Sequence, residues 1–177
     1  VFDSVMTNMT RISNTRVEFG YKAGEPGKTF ADLEKQGFKA IFIATGTPNP
    51  RALTFGRDVV ANGNLPGIMM GLNLLADIDA NTVKPGLFNG KKCIVIGGGN
   101  VAFDVARSAR RLGGEVTMLC LENADKSTRD GIPADVDEIE GATEEGIKIM
   151  YSRGVNEILS KDGKFAGVKA PKCVSVF

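Results

Sequence analysis

Residues 91–102 read Lys91-Lys92-Cys93-Ile94-Val95-Ile96-Gly97-Gly98-Gly99-Asn100-Val101-Ala102. The run to Ile96 is rich in β-branched residues and has no polar break, which predicts a strand. Gly97 to Ala102 then matches GxGxx[G/A], the pattern of dinucleotide-binding turns. Each position has a physical task. Gly97 lets the chain turn sharply out of the strand. Gly99 has no Cβ, so a pyrophosphate can approach the backbone closely. Ala102 is small enough for the next helix to pack on the strand. N–H groups from about Gly99 to Val101, unpaired at the helix N-terminus, offer donors and a partial positive charge to phosphate. Gly97, Gly98, Gly99, Asn100, Val101 and Ala102 are thus candidate cofactor-binding residues.

Working outward, Val101, Val105, Ala106, Ala109 and Leu112 fall at helical spacing. Arg107, Arg110 and Arg111 lie largely off that stripe and read as a solvated helix face. Gly113-Gly114 closes the helix, and Glu115 to Leu121 is a second strand ended by Glu122. A strand–glycine turn–helix–strand unit with so short a crossover implies parallel strands. A carboxylate where Glu122 stands can accept hydrogen bonds from adenosine hydroxyls and repel a 2′-phosphate. Lys126 and Arg129, on the following loop, pull the other way, because they could reach a 2′-phosphate. Two alternatives stay open beside dinucleotide binding. One is a tight strand–helix turn with no ligand. The other is S-adenosylmethionine binding, although Ile94-Val95-Ile96 lacks the acidic residue that such sites tend to place before the first glycine.

Further along, Ala134 to Glu145 is an acidic helix candidate ended by Gly146, and Ile147 to Tyr151 a third strand. Val155 to Lys169 reads as a hairpin about Asp162-Gly163, and a last strand is expected from Cys173 to Phe177. Toward the N-terminus, Thr29 with Asp32 has the form of a helix cap, with the helix ending at Gly37. Lys39 to Ala44 is apolar on both faces and predicts a buried parallel strand. Gly67 to Ala76 carries helical spacing, with Met69-Met70 read as core. The expected fold class is α/β. It is a Rossmann-like parallel sheet with the glycine-loop strand–helix–strand unit and a C-terminal β-meander. The chain begins at Val1 and stops inside an apolar run, so a fragment of a longer polypeptide is expected.

Composition narrows the chemistry. The 177 residues carry 22 basic and 21 acidic side chains, so net charge gives no prior for nucleic acid. There is no histidine, which removes Ser-His and Cys-His dyads and imidazole zinc sites. Cys93, Cys120 and Cys173 are scattered, form no CxxC and fit a reducing cytoplasm. No apolar run is long enough to span a bilayer, and no metal ligand set is expected.

Ile43-Ala44-Thr45-Gly46, then Ile96-Gly97-Gly98-Gly99-Asn100-Val101-Ala102 with Asp104-Val105-Ala106-Arg107 and Arg111-Leu112-Gly113, resembles the glutamate synthase small-subunit-like flavoproteins. These belong to the pyridine nucleotide-disulfide oxidoreductase superfamily. Val116-Thr117, Ile132-Pro133-Ala134 and Glu144-Glu145-Gly146 carry the likeness toward the C-terminus. The resemblance implies an NAD(P)H domain inserted into a split FAD domain. Hydride would pass from nicotinamide to flavin, and electrons onward to an iron–sulfur or other accepting subunit. It implies residues 1–50 as a stub of the FAD domain, with Ala44, Thr45 and Gly46 near the flavin, 51–90 as a linker and 91–177 as the NAD(P)-binding domain. Two departures stand out. The family's own FAD glycine fingerprint and late glycine–aspartate motif are absent. Relatives using NADPH often carry paired arginines where Leu121 and Glu122 stand here, which favours NAD(H) over NADP(H). FAD would belong to the full-length protein. No catalytic side chain is expected, because hydride transfer to flavin needs positioning more than side-chain chemistry. A non-catalytic dinucleotide-binding module is the alternative.

Overall fold

The computed structural model describes residues 7, 8, 11, 15–47, 49, 53–55, 58–60 and 65–176. Its contacts divide into two compact units, Val1–Gly46 and Thr47–Phe177.

In the first unit, α1 (Phe30–Lys35) starts at a capping box. Thr29 Oγ1 accepts from the Asp32 amide, and the Asp32 carboxylate accepts from the Thr29 amide. The strand expected over Lys39–Ala44 is not formed. Ile41, Phe42 and Ile43 are instead 39, 92 and 63 % exposed. A parallel strand needs neighbours to pair its backbone, and no strand occurs among the described residues of this unit.

The second unit opens with a short antiparallel pair that the sequence did not signal, β1 (Leu53–Phe55) and β2 (Asp58–Val60). Helix α2 (Gly71–Asp79) follows and buries Leu74; Met69, read as core, is 51 % exposed. Then come β3 (Lys92–Ile96), α3 (Asn100–Arg111), β4 (Glu115–Leu119), α4 (Val136–Glu144) and β5 (Lys148–Met150). The three strands form a parallel sheet in the order β3-β4-β5, with Cys93 opposite Val116 and Met118 opposite Ile149. Central β4 is the most buried strand, since both its edges and one face are covered.

Helix α3 buries Phe103, Val105, Ala106 and Ala109, whereas Val101 is 50 % exposed. The apolar stripe is thus rotated from the expected one, because α3 packs on three neighbours: the sheet, α2 and α4. Phe103 is fully buried and joins Ala106, Met118, Cys120, Ile132, Ala134 and Ala142 in one core; burial of a side chain of this kind contributes about 1.5–3 kcal/mol. The helix ends in a Schellman motif, with Gly114 N donating to Ala109 O and Gly113 N to Arg110 O, both at 3.0 Å.

The arginine face is not simply solvated. Arg107 donates to Glu138 (3.0 Å) and Glu145 (2.9 Å), and Arg111 to Glu145 (2.6 Å). Arg110 reaches the Glu145 carbonyl at 2.9 Å. These bonds fasten the first turn and the C-terminal end of α4 to α3, which the local sequence pattern could not show.

A hairpin, β6 (Glu157–Lys161) and β7 (Lys164–Lys169), turns at Asp162-Gly163, both with positive φ (52° and 70°), the type I′ geometry expected from Asp-Gly. The last strand expected from Cys173 is absent among the described residues. Among the described strands β6 and β7 pair with each other, and Phe165 N donates to Pro66 O at 2.9 Å. The terminal segment is fixed by a bridge between Arg153 and Lys172 and by Cys173 N donating to Ser152 O at 2.9 Å.

Candidate functional site

The site grows from the end of β3. Gly97 N donates to Leu119 O at 3.0 Å, the last rung of the β3–β4 ladder. Gly97 then adopts φ +139°, which L side chains rarely take, and a Cβ there would lie 3.1 Å from the Ala102 Cβ. The turn therefore requires glycine on conformation and on space. Gly99 is the N-cap of α3, with φ −92° and ψ 167° and no side chain to cap the helix. A Cβ at Gly99 would meet nothing within 4 Å. The ground before the helix N-terminus is open, and the positive end of the helix dipole points to it.

Facing the loop is the segment after β4. A Cβ on Gly98 would lie 2.5 Å from Glu122 Oε2. The Glu122 carboxylate thus sits against the middle glycine. Its Oε2 is buried and has no hydrogen-bond partner, while its backbone carbonyl accepts from Ser152 N at 2.8 Å. Cys120 lies beneath. Its thiol donates to Gly97 O at 3.3 Å, and burial, then the Glu122 charge, push its pKa up to about 12.

The remaining candidates are placed differently. Asn100 commits its side chain to Asp135: Nδ2 donates to Asp135 Oδ2 at 2.7 Å, and Oδ1 accepts from Asp135 N at 2.8 Å. Lys126 Nζ donates to Ile132 O at 3.1 Å and to Ala134 O. Its ammonium is thus bound to main chain. Arg129 is exposed on the same loop, and Val101 and Ala102 lie on the first turn of α3. Ala44, Thr45 and Gly46 belong to the Val1–Gly46 unit, where all three are exposed. Among the described residues no group of three or more His, Cys, Asp or Glu side chains is arranged to hold a metal. No helix among them is long and apolar enough to cross a membrane.

Sequence reasoning did not assign Ile132, Ala134 and Asp135 to the site. Ile132 and Ala134 are 2 % and 0 % exposed, and Ala134 N donates to Gly98 O at 3.2 Å. The signal that could have found them is Pro133 beside Gly131, a turn whose position only the fold reveals. An apolar cavity of about 740 Å³ lies between α2, β3, the start of α3 and the hairpin; Met70, Leu74, Ile94 and Phe165 line it, and Gly99 and Val101 of the glycine-loop region border it.

Residues 2–173 match the pyridine nucleotide-disulphide oxidoreductase family. The chain belongs to this family. Among curated relatives, the NADPH-Fe(3+) oxidoreductase subunit beta of Geobacter sulfurreducens is 37 % identical over 119 residues. That match covers 66 % of this chain and 16 % of the relative. The NADP(+)-dependent formate dehydrogenase subunit beta of Moorella thermoacetica is 31 % identical, over 78 % of this chain and 18 % of the relative. The chain thus spans under a fifth of these relatives' length. Among solved structures, thioredoxin reductase from T. acidophilum matches half of the chain (50 %) and 27 % of its own, at 24 % identity and a TM-score of 0.43. The family's cofactors are FAD and a nicotinamide dinucleotide.

Proposed function

We propose that the Thr47–Phe177 unit binds a nicotinamide dinucleotide, NADH in preference to NADPH, as part of a larger FAD-dependent oxidoreductase. The carrying observation is the buried, unpartnered Glu122 Oε2 against Gly98, beside an open helix N-terminus. A buried acceptor without a donor is costly, and a ribose hydroxyl supplies the donor. In this reading the amides of Gly99, Asn100 and Val101 take the pyrophosphate, and Gly97, Gly98 and Ala102 shape the turn. Glu122 takes the adenosine hydroxyls.

The named relatives are NADPH or NADP(+) proteins, so the NADH preference is a departure and rests on two residues. Glu122 would stand against a 2′-phosphate. At about 5 Å and an effective dielectric of about 20, that repulsion is about 3 kcal/mol before salt screening. Lys126, one of the two loop cations that could offset it, is engaged by Ile132 and Ala134.

When bound, the nicotinamide supplies a hydride to the flavin. This chain's residues bind and orient; none of them is assigned a proton-transfer role. Residues 91–177 are read as the dinucleotide-binding domain, 51–90 as the connection to it, and 1–50, with Ala44, Thr45 and Gly46, as part of the FAD-binding half. The boundary between units at Gly46 supports that division. The remainder of the FAD domain and an electron-accepting subunit are the proposed partners. Calorimetric titration with NADH and NADPH is the test. Tighter NADH binding is expected, and equal or reversed affinities would overturn the Glu122 assignment.

A further inference from the structure

Three consecutive glycines make Gly97–Gly99 conformationally soft, yet a pyrophosphate cradle works only if its N–H groups are fixed before the ligand arrives. The restraint comes from the turn Ile132–Asp135, which lies across the loop. Ala134 N donates to Gly98 O at 3.2 Å. One residue on, Asp135 takes both ends of the Asn100 amide. The turn is seated by the buried Ile132 and Ala134. It is fastened from the other side by Lys126, whose ammonium binds the carbonyls of Ile132 and Ala134. Lys126 lies on the loop that begins just after Glu122, and that loop closes on the same turn through Ile132 N and Asn123 O at 3.0 Å.

We infer that Lys126 and the Asn100–Asp135 pair are positioning residues for the pyrophosphate. Acting through the Ile132–Asp135 turn, they hold the glycine loop at a fixed distance from Glu122. The inference rests on the dinucleotide reading above. Lys126 then affects NADH and NADPH alike, because it sets loop geometry and touches neither ribose nor phosphate. This differs from the role as a 2′-phosphate ligand that its loop position suggests in the sequence.

The test measures dissociation constants of NADH, NADPH, ADP-ribose and adenosine for Lys126→Met, Lys126→Arg and Asn100→Ala in the whole chain, with thermal melting alongside. Lys126→Met is expected to weaken NADH, NADPH and ADP-ribose together by about tenfold, or 1.4 kcal/mol. The NADH to NADPH ratio and the adenosine affinity should stay unchanged. Asn100→Ala, which changes no charge, should do the same, so that the loss is not one of positive potential. Lys126→Arg keeps donors for both carbonyls and should restore affinity. Selective loss of NADPH in Lys126→Met would make Lys126 a direct phosphate ligand and overturn the inference. Equal loss of all four ligands, or of none, would overturn it too. If the unmodified chain binds none of the four, the dinucleotide reading itself fails, and this inference with it.

Discussion

The glycine loop and the segment Leu121–Gly131 meet at Gly98 and Glu122, and they are built from opposite materials. Gly97–Gly99 offers main chain alone, with its conformation set by one positive φ and by the absence of Cβ atoms. The facing segment is an assembly of side chains that bind one another. Asn123 Oδ1 accepts from Asp125 N and Thr128 Oγ1, Asp125 Oδ1 from Ser127, and Lys126 bridges two carbonyls. Recognition by main chain reads what all dinucleotides share, the pyrophosphate. Recognition by a charged side chain can separate one dinucleotide from another. The two halves should therefore respond to mutation in different observables: stability and overall affinity on one side, preference on the other.

The largest effect is expected from Gly97→Val. It forces a β-branched residue to φ +139° and against Ala102. A loss of about 2–3 kcal/mol in chemical denaturation is expected, with nucleotide binding falling in parallel. Near-normal stability would show that this half tolerates side chains, and the contrast would collapse. Next is Glu122→Arg. Replacing a negative by a positive charge should shift the NADH to NADPH affinity ratio on the order of a hundredfold, the about 3 kcal/mol of one unit repulsion, with ADP-ribose weakening in step with NADH. A ratio that does not move would put discrimination elsewhere.

Gly99→Val is expected to be milder for the fold. Its backbone lies at an ordinary φ, and a Cβ at this position has nothing within 4 Å. Both dinucleotides should weaken about tenfold, or 1.4 kcal/mol, at unchanged melting temperature. Full NADH affinity in this variant would mean that the loop is a packing turn.

The smallest effect concerns the scaffold behind both halves. Hydrogen bonds from Arg111 and then Arg107 hold the Glu145 carboxyl below its ordinary value of 4.5, against the opposing pull of burial. A carboxylate with a depressed folded-state pKa contributes stability that is present above its unfolded value. That contribution is lost as pH falls below 4.5 and through the lower folded value. Arg107→Met should remove about 1 kcal/mol at neutral pH, given the partial exposure of the pair. It should also flatten the acid side of the stability curve measured by denaturant titration. An unaltered acid limb would show that Arg107 does not contribute to holding the Glu145 carboxylate ionised.

The glycine loop, the helix after it and both flanking strands were legible because their signals are local: a strand run, small residues at fixed offsets, a C-terminal glycine. The run Lys39–Ala44 has the same apolar character as Lys92–Ile96, yet only the second is a strand. The chemistry within each run is alike. The difference is a partner, β4, whose Leu119 and Val116 lie opposite Ile96 and Cys93. Pairing is a property of two segments, so one segment's pattern does not report it. The same reason hid the Asn100–Asp135 pair, which joins the first turn of α3 to the residue capping α4. Glu122 was legible as a charge at a strand end, but its pressure on Gly98 was not.

Cys120 gives the site a property that concerns wear rather than affinity. Peroxide attacks thiolates rather than thiols. Burial and the Glu122 charge push the Cys120 pKa up to about 12, which keeps the thiol protonated, and none of the residue is exposed. The sulfur that donates to Gly97 O is therefore a poor target for peroxide. Sulfenic acid formation beneath Gly97, which would push a polar oxygen into the core, is suppressed by the same packing that shapes the turn.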